Sequence, residues 1–119
     1  LAADTFEYYA SFLESLEERA QKDSSGEDII TYIPYGVCGI YLPYNTPLMI
    51  FGFSSAAAIA GGNAVIIKPS EQASLSMLKL TELLDKEGIP KGLINVITGR
   101  GSVIGRELAE EDIDLISFT

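Results

Sequence analysis

The chain has 119 residues, of which 47% are hydrophobic, which is enough for one domain with its own core. Its formal net charge of −9 argues against a nucleic acid partner, because binding a polyanion requires clustered Lys and Arg. A single cysteine and the lack of histidine exclude intrachain disulfides, Ser-His-Asp or Cys-His catalysis and a His-ligated metal among these residues, so we predict no metal site.

The first predicted element is an amphipathic helix over residues 5–22. Its apolar side chains recur at spacings of three and four, at Phe6, Tyr9, Leu13, Leu16 and Ala20. Residues 23–26 are predicted to end this helix. A short strand is expected over 29–33, before Pro34, and a second strand over 37–42.

The next predicted helix begins at Thr46-Pro47 and runs to about residue 60. A hydroxyl N-cap followed by proline at the first helical position is a helix start signal. The helix is rich in Gly, Ala and Ser, which would let it lie close to a sheet or to a second backbone. Gly61-Gly62 is predicted to end it with a left-handed residue.

The rest of the chain alternates strands and helices. A buried strand over 64–67 leads to a helix that Ser74 is predicted to cap and that extends to about residue 87. The buried stripe of this helix is predicted to be Met77, Leu80, Leu83 and Leu84. Strands over 93–97 and 115–118 then flank a glycine turn and a short helix.

This order predicts an α/β fold with an open, mostly parallel, doubly wound (Rossmann-like) sheet and helices on both faces. Right-handed crossovers bring the loops after the strands to one edge, where nucleotides and substrates bind in such sheets. The uncharged stretch over 29–67 is long enough to span a bilayer, but prolines and glycines divide it. We therefore expect buried strands around a helix and no membrane partner, and a cytoplasmic protein because no secretory signal is visible.

Several polar side chains follow the predicted strands. The Asn45 amide can donate hydrogen bonds to a developing oxyanion, or it can simply hold a local turn. Lys68 and Glu71 suit the ribose hydroxyls of a dinucleotide, although a surface salt bridge is the alternative. The turn at Gly99–Gly105 is not the Gly-x-Gly-x-x-Gly fingerprint, because its last glycine comes one residue late. Cys38 lies inside an apolar strand without a nearby cation, which favours a buried core thiol over a nucleophile.

Two segments together resemble the cofactor-binding half of the aldehyde dehydrogenase superfamily, and matches at similar spacing extend over nearly the whole chain. The first is Leu42-Pro43-Tyr44-Asn45-Thr46-Pro47, similar to Pro-Trp-Asn-Phe-Pro with Tyr44 for Trp and Thr46 for Phe. The second is Gly62-Asn63-Ala64-Val65-Ile66-Ile67-Lys68-Pro69-Ser70-Glu71, similar to Gly-Asn-x-x-x-x-Lys-Pro-Ser-Glu without departure. A third difference is Ser54, where family members often carry Lys.

The resemblance implies a catalytic role for Asn45, which would help to hold the carbonyl oxygen of the substrate. It implies cofactor contacts from Leu42, Pro43, Tyr44, Lys68, Ser70, Glu71, Gly101, Gly105 and Thr119. The implied cofactor is NAD, which Glu71 would favour, or NADP. The implied reaction is oxidation of a small-molecule aldehyde to a carboxylic acid through a thiohemiacetal and thioester on a cysteine outside this chain.

Both ends of the chain look like cuts. We therefore expect residues 1–119 to be a truncated, partial NAD(P)-binding domain that lacks the catalytic domain and is inactive alone, within a parent enzyme that is a homo-oligomer. Two alternatives stay open. The parent can be an acylating member of the superfamily that uses CoA or phosphate, or the chain can be a non-enzymatic nucleotide-binding or assembly module.

Overall fold

The computed structural model describes the backbone of residues 1–16, 19–23 and 26–119, and the side chains of residues 1–16 and 31–119. Helix α1 (Ala2–Glu14) is followed by an antiparallel pair, β1 (Arg19–Asp23) and β2 (Gly26–Ile30), in which Arg19 pairs with Ile30. The predicted helix over 5–22 is therefore wrong beyond Glu14, and the strand predicted over 29–33 both begins and ends earlier. Ala20, from the predicted apolar stripe, has its side chain outside the described residues.

The main sheet has four parallel strands, as the sequence predicts. They are β3 (Val37–Leu42), β4 (Ala64–Pro69), β5 (Ile94–Val96) and β6 (Leu115–Phe118), in the spatial order β5-β4-β3-β6. The chain runs outward from β3 through β4 to β5 and then crosses back to add β6 on the other side of β3. This reversal makes the sheet doubly wound, with its switch point between β3 and β6.

Alternation along β3 divides its side chains between two helical layers. Cys38, Ile40 and Leu42 point to one face, where they form a buried core with Phe51 and Met77. These two residues come from helices α2 (Pro47–Ala60) and α3 (Ser74–Lys86). The other face carries Gly39 and Tyr41 and is covered by helix α4 (Arg106–Glu110), whose Leu108 is buried over Gly39. The predicted helices on both faces are thus confirmed.

Helix α2 begins where the sequence predicts, but its start has a different chemistry. Thr46 is the N-cap residue, with a left-handed φ of 52°, and its side chain makes no capping hydrogen bond. The predicted hydroxyl cap is therefore wrong; the Thr46 carbonyl instead accepts from the backbone N–H of Met49 and Ile50. At the other end, Gly62 supplies the left-handed residue, with φ of 82°.

The small residues of α2 do allow a close approach to a second backbone. A Cβ placed on Gly52 would lie 2.7 Å from the Cα atom of Ala2, in helix α1. That distance is shorter than real Cβ contacts, so any larger residue at position 52 would push the two helices apart.

Helix α3 is preceded by a 3₁₀ turn, Glu71–Ala73, that the sequence did not predict. Ser70 Oγ accepts from the backbone N–H of Gln72, at 3.4 Å, whereas Ser74 Oγ donates to the Ser70 carbonyl. The prediction that Ser74 caps the helix is therefore wrong. Met77 is fully buried and Leu80 and Leu84 pack against the core, but Leu83 is exposed and does not belong to the stripe.

The turn after β5 is a short π-helix, Gly101–Gly105, that continues directly into α4. At the opposite edge of the sheet, two side chains hold the start of β3. Asn63 Oδ1 accepts from the N–H of Gly36 at 2.9 Å, and Asp114 Oδ2 accepts from the N–H of Val37 at 2.7 Å. Among the described helices, none combines the length and apolar character that crossing a bilayer demands.

Candidate functional site

A pocket of about 510 Å³ lies at the carboxyl ends of the main strands, on the face that α4 covers. Eight of the nine residues predicted to bind the cofactor line it: Leu42, Pro43, Lys68, Ser70, Glu71, Gly101, Gly105 and Thr119. The pocket includes the switch point between β3 and β6, which is where ligands bind in doubly wound sheets. Residues up to 77 positions apart in sequence, Leu42 and Thr119, therefore meet at one cavity, although their role in cofactor binding stays a prediction.

Two predicted site residues lie at the same edge of the sheet but outside this pocket. Tyr44 is 67% exposed, and Asn45 is also exposed, in the loop between β3 and α2. The left-handed Thr46 immediately follows Asn45. A β-branched residue in that conformation costs about 1–2 kcal/mol, so the surrounding loop must hold it.

Lys68 is a buried cation that borders the pocket. Its side chain is only 4% exposed, and Nζ donates a hydrogen bond of 2.9 Å to the Pro69 carbonyl. An ammonium group has three N–H donors, so within the described part of the chain this bond leaves donors for a ligand. Burial of a cation is costly unless it is paired. The buried position of Lys68 therefore argues against the surface salt bridge that the sequence left open, and it favours an acceptor from a ligand that enters the pocket.

Glu71 accepts a hydrogen bond of 2.6 Å from the backbone N–H of Gly101, at the first residue of the π-helical turn. Hydrogen bonds from its own backbone N–H and from that of Gly101 lower the pKa of Glu71, and the charges of Lys68 and Arg100 lower it further. The carboxylate is therefore ionised at neutral pH and is already engaged with the protein, on the exposed rim of the pocket.

Gly105 and Tyr41 both line the pocket and contact each other. The Tyr41 hydroxyl donates to the Gly105 carbonyl at 2.7 Å. A Cβ on Gly105 would lie 3.5 Å from Tyr41 Cε1 and 3.8 Å from Lys68 Cε, in ordinary van der Waals contact. Burial raises the pKa of the Tyr41 phenol, which keeps it protonated as a donor.

Sequence reasoning missed Tyr41, Phe118 and Arg106, all of which line the pocket. One signal could have found Tyr41 and Phe118. They occupy the second-last and last positions of two predicted strands, so strand alternation and parallel pairing place them in one row with Lys68. The register confirms this row, because Tyr41 pairs with both Lys68 and Phe118.

Cys38 is a core thiol, as predicted. It is 1% exposed on the face opposite the pocket, and burial, followed by the negative charge of Asp114, raises its pKa. Within the described residues, no three His, Cys, Asp or Glu side chains cluster as metal ligands would, and the expectation of no metal stays a prediction.

The sheet order, with a pocket at its switch point, defines an α/β protein of the doubly wound type. The chain belongs to the aldehyde dehydrogenase family, whose family model matches residues 1–119.

Curated relatives are identical to the chain at more than a third of the aligned positions. Human cytosolic 10-formyltetrahydrofolate dehydrogenase is 37% identical over 125 aligned positions, which cover 100% of this chain and 14% of that protein. Betaine aldehyde dehydrogenase from Bacillus subtilis (strain 168) is 39% identical and covers 98% of this chain. The chain spans 24% of the length of that second relative.

Solved structures match the fold closely. A putative aldehyde dehydrogenase from Burkholderia cenocepacia superimposes with a TM-score of 0.90 at 40% identity, over 98% of this chain and 25% of that one. A betaine aldehyde dehydrogenase from Staphylococcus aureus, in complex with NAD+, gives a TM-score of 0.88 at 32% identity, over 98% of this chain and 24% of that one.

Proposed function

We propose that these residues form the cofactor-binding segment of an enzyme that oxidises an aldehyde to a carboxylic acid with NAD or NADP. The reacting thiolate would belong to a cysteine outside this chain, because Cys38 is buried on the other face of the sheet. The chain spans 14% and 24% of the two relatives, which supports a reacting cysteine outside these residues.

The observation that carries the proposal is Lys68. This buried ammonium group borders the pocket that includes the switch point, and its one hydrogen bond to a described residue leaves donors that suit the hydroxyls of a ribose. Glu71 and Ser70 stand beside it, and the glycines at 101 and 105 leave room for a ligand against the backbone. The pocket would therefore take the adenosine half of the dinucleotide.

When bound, the nicotinamide ring of this cofactor would accept a hydride from the substrate. Within this chain, Lys68 would hold and orient the ribose, and the apolar wall of the pocket would exclude water. Asn45 would donate its amide hydrogens to the oxygen on which negative charge develops. Its position in the loop after β3, outside the pocket, supports contact with the reacting end of the ligand rather than with the adenosine.

The remaining properties of the parent enzyme belong to the same proposal. NAD would be preferred over NADP, the substrate would be a small aldehyde, and the enzyme would be a homo-oligomer of the cytoplasm. An assay that offers water, CoA and phosphate as acceptors separates simple oxidation from acylating chemistry.

The test is cofactor binding and turnover in the natural protein that carries these residues. We expect NAD to bind, and we expect Lys68→Met to raise the KM for NAD by about tenfold or more while kcat changes little, since a lost charged hydrogen bond costs about 1.5–3 kcal/mol. Lys79→Met is the matched control, because Lys79 lies exposed on α3 and pairs with Glu82. Equal KM values in the two variants would contradict the role of Lys68.

A further inference from the structure

We infer that Thr46 is a positioning residue for Asn45: its left-handed backbone fixes the loop between β3 and α2, so that the Asn45 amide is held in one place before the aldehyde binds. This inference rests on the proposed function, in which Asn45 donates to the oxygen that becomes negative.

The first support is the conformation of Thr46 itself. Its φ of 52° and ψ of 42° are left-handed, and among the described residues it is the only one other than glycine with a positive φ. Two features of the sequence oppose this conformation, because threonine is β-branched and the residue before a proline favours extended backbone. A conformation that is opposed twice persists only where the surrounding structure imposes it, and such residues cluster at functional sites.

The second support is that stability does not explain the choice of threonine. Thr46 is exposed, and its hydroxyl makes no capping hydrogen bond to helix α2. Glycine or asparagine adopts the left-handed conformation at a lower cost, so either would stabilise the folded chain at this position. Threonine is much less permissive than glycine, which suits a loop that must hold a neighbouring side chain in place.

The third support is the position of Thr46 in a loop that is short and restricted at both ends. The loop has four residues, 43–46, between β3 and α2. Pro43 and Pro47 each have a fixed φ, and the Thr46 carbonyl accepts from two N–H groups in the first turn of α2. A change of Thr46 from left-handed to extended φ would rotate Asn45 by more than a right angle relative to α2.

The chemistry of Asn45 gives this restriction a function. An oxyanion donor is effective when it already points to the developing charge and does not have to reorganise during the reaction. Asn45 is exposed, so packing against the described residues does not fix its place. The backbone of the loop is then what holds it, and Thr46 is the residue of the loop with the most unusual backbone.

The test is a double-mutant cycle in the natural protein that carries these residues. The single-turnover rate of NADH formation, the KM for NAD and the melting temperature are measured for each variant. Thr46→Pro excludes a positive φ, and we expect it to lower the single-turnover rate by about tenfold or more and to change the KM for NAD by less than about twofold. In the Asn45→Ala background the same substitution should lower the rate no further, because Thr46 acts through Asn45.

Two further variants complete the design. Thr46→Asn is the conservative control, because asparagine tolerates left-handed backbone, and it should keep the single-turnover rate within about twofold of wild type at an unchanged or higher melting temperature. Pro47→Ala should fold readily, since alanine suits the first turn of a helix. It frees the loop, and we expect it to lower the rate several-fold, again only while Asn45 is present.

A folded Thr46→Pro with the rate of wild type would contradict the positioning role. An equal loss of rate in the two backgrounds would do so too, as would a loss in Thr46→Asn as large as in Thr46→Pro. If Thr46→Pro does not fold, Pro47→Ala is judged by the first two criteria. If Asn45→Ala itself leaves the rate unchanged, the proposed role of Asn45 and this inference both fail, whereas a normal Asn45→Ala loss without any effect at positions 46 and 47 overturns this inference alone.

Discussion

The carboxylate of Glu71 and the backbone N–H of Gly101 are joined by a hydrogen bond of 2.6 Å that links the loop after β4 to the turn after β5. The same bond helps to lower the pKa of Glu71 in the folded chain. A group whose pKa is lower in the folded state adds stability above its unfolded pKa, and that stability is lost as the pH falls through the folded pKa. The link is therefore intact at neutral pH and weakens in acid.

This relationship predicts the acid response of the chain. We expect the melting temperature of wild type to fall as the pH drops below about 4.3, the ordinary pKa of a glutamate, and we expect this fall to be smaller in Glu71→Gln. The amide keeps the size of the side chain but does not titrate. Thermal unfolding followed by circular dichroism from neutral pH to pH 3 measures the difference. Glu87→Gln, at the exposed end of α3, is the control, and identical pH profiles for both variants would rule out the contribution of Glu71.

Cofactor choice is predicted to depend on the same carboxylate. We expect kcat/KM to be higher for NAD than for NADP, because the 2′-phosphate of NADP would meet the negative charge of Glu71. Two like charges about 4 Å apart repel by about 1 kcal/mol even in water, so Glu71→Ser should reduce the preference by about fivefold or more. An unmoved ratio, or a wild type that already favours NADP, would show that Glu71 does not select the cofactor.

Asn45→Ala is predicted to slow the chemical step. Removal of one donor from an oxyanion site typically lowers kcat by about 10²–10³, and the exposed position of Asn45 outside the pocket predicts little effect on NAD binding. Steady-state kinetics with a calorimetric titration of NAD separates the two effects. If kcat stays unchanged while chemistry limits the rate, Asn45 is a turn residue.

The isolated chain is predicted to oxidise no aldehyde. Its single thiol, Cys38, is predicted to be inaccessible to thiol reagents in the folded state. Cys38 is 1% exposed and its pKa is raised by burial, so an aromatic disulfide reagent should react with it only after denaturation. Thiol titration of native and unfolded chain tests the burial, and an assay with NAD, NADP and a panel of aldehydes tests the inactivity. Turnover that disappears in Cys38→Ala would contradict both expectations.

The isolated chain is also predicted to associate in solution. Strand β6 lies at an end of the main sheet and carries Phe118, which is 77% exposed, and an unpaired edge with exposed apolar side chains favours pairing with another chain. Sedimentation over a wide concentration range should reveal dimers or larger species, which Phe118→Lys should reduce. Leu75→Lys makes the same charge change on α3 and serves as the comparison. A compact monomer at every concentration would refute the prediction.

Sequence patterns located the main sheet well because its strands are short apolar runs bounded by proline, glycine or aspartate. The predicted strands over 37–42 and 115–118 agree with β3 and β6 at both ends. Strand β4 begins as predicted and ends at Pro69, two residues later than predicted. Strand β1 was missed because Arg19, Ala20 and Lys22 favour helices locally, whereas a strand is defined by its partner. Helices α2 and α3 begin within one residue of their predicted starts, but the predicted caps are wrong: the Thr46 and Ser74 hydroxyls fit the cap pattern, and neither caps its helix.

The candidate site was predictable wherever its residues follow a strand. Lys68, Ser70 and Glu71 reach the pocket because parallel strands bring their carboxyl ends to one edge. The hydrogen bonds of Glu71 to Gly101 and of Tyr41 to Gly105 were not predictable, since each joins two segments whose distance depends on the packing of α4.

The two side chains that hold the start of β3 have a consequence for the order of folding. Asn63 closes a loop of 27 residues to Gly36, and Asp114 closes one of 77 residues to Val37. The longer loop costs only about 0.9 kcal/mol more in chain entropy, but it cannot close until residue 114 has been synthesised. On the ribosome, β3 can therefore pair early with β4, while the side of β3 that later pairs with β6 stays without a partner. During that interval this central strand is open to the wrong neighbour, and a chaperone that shields it would raise the yield of folded protein.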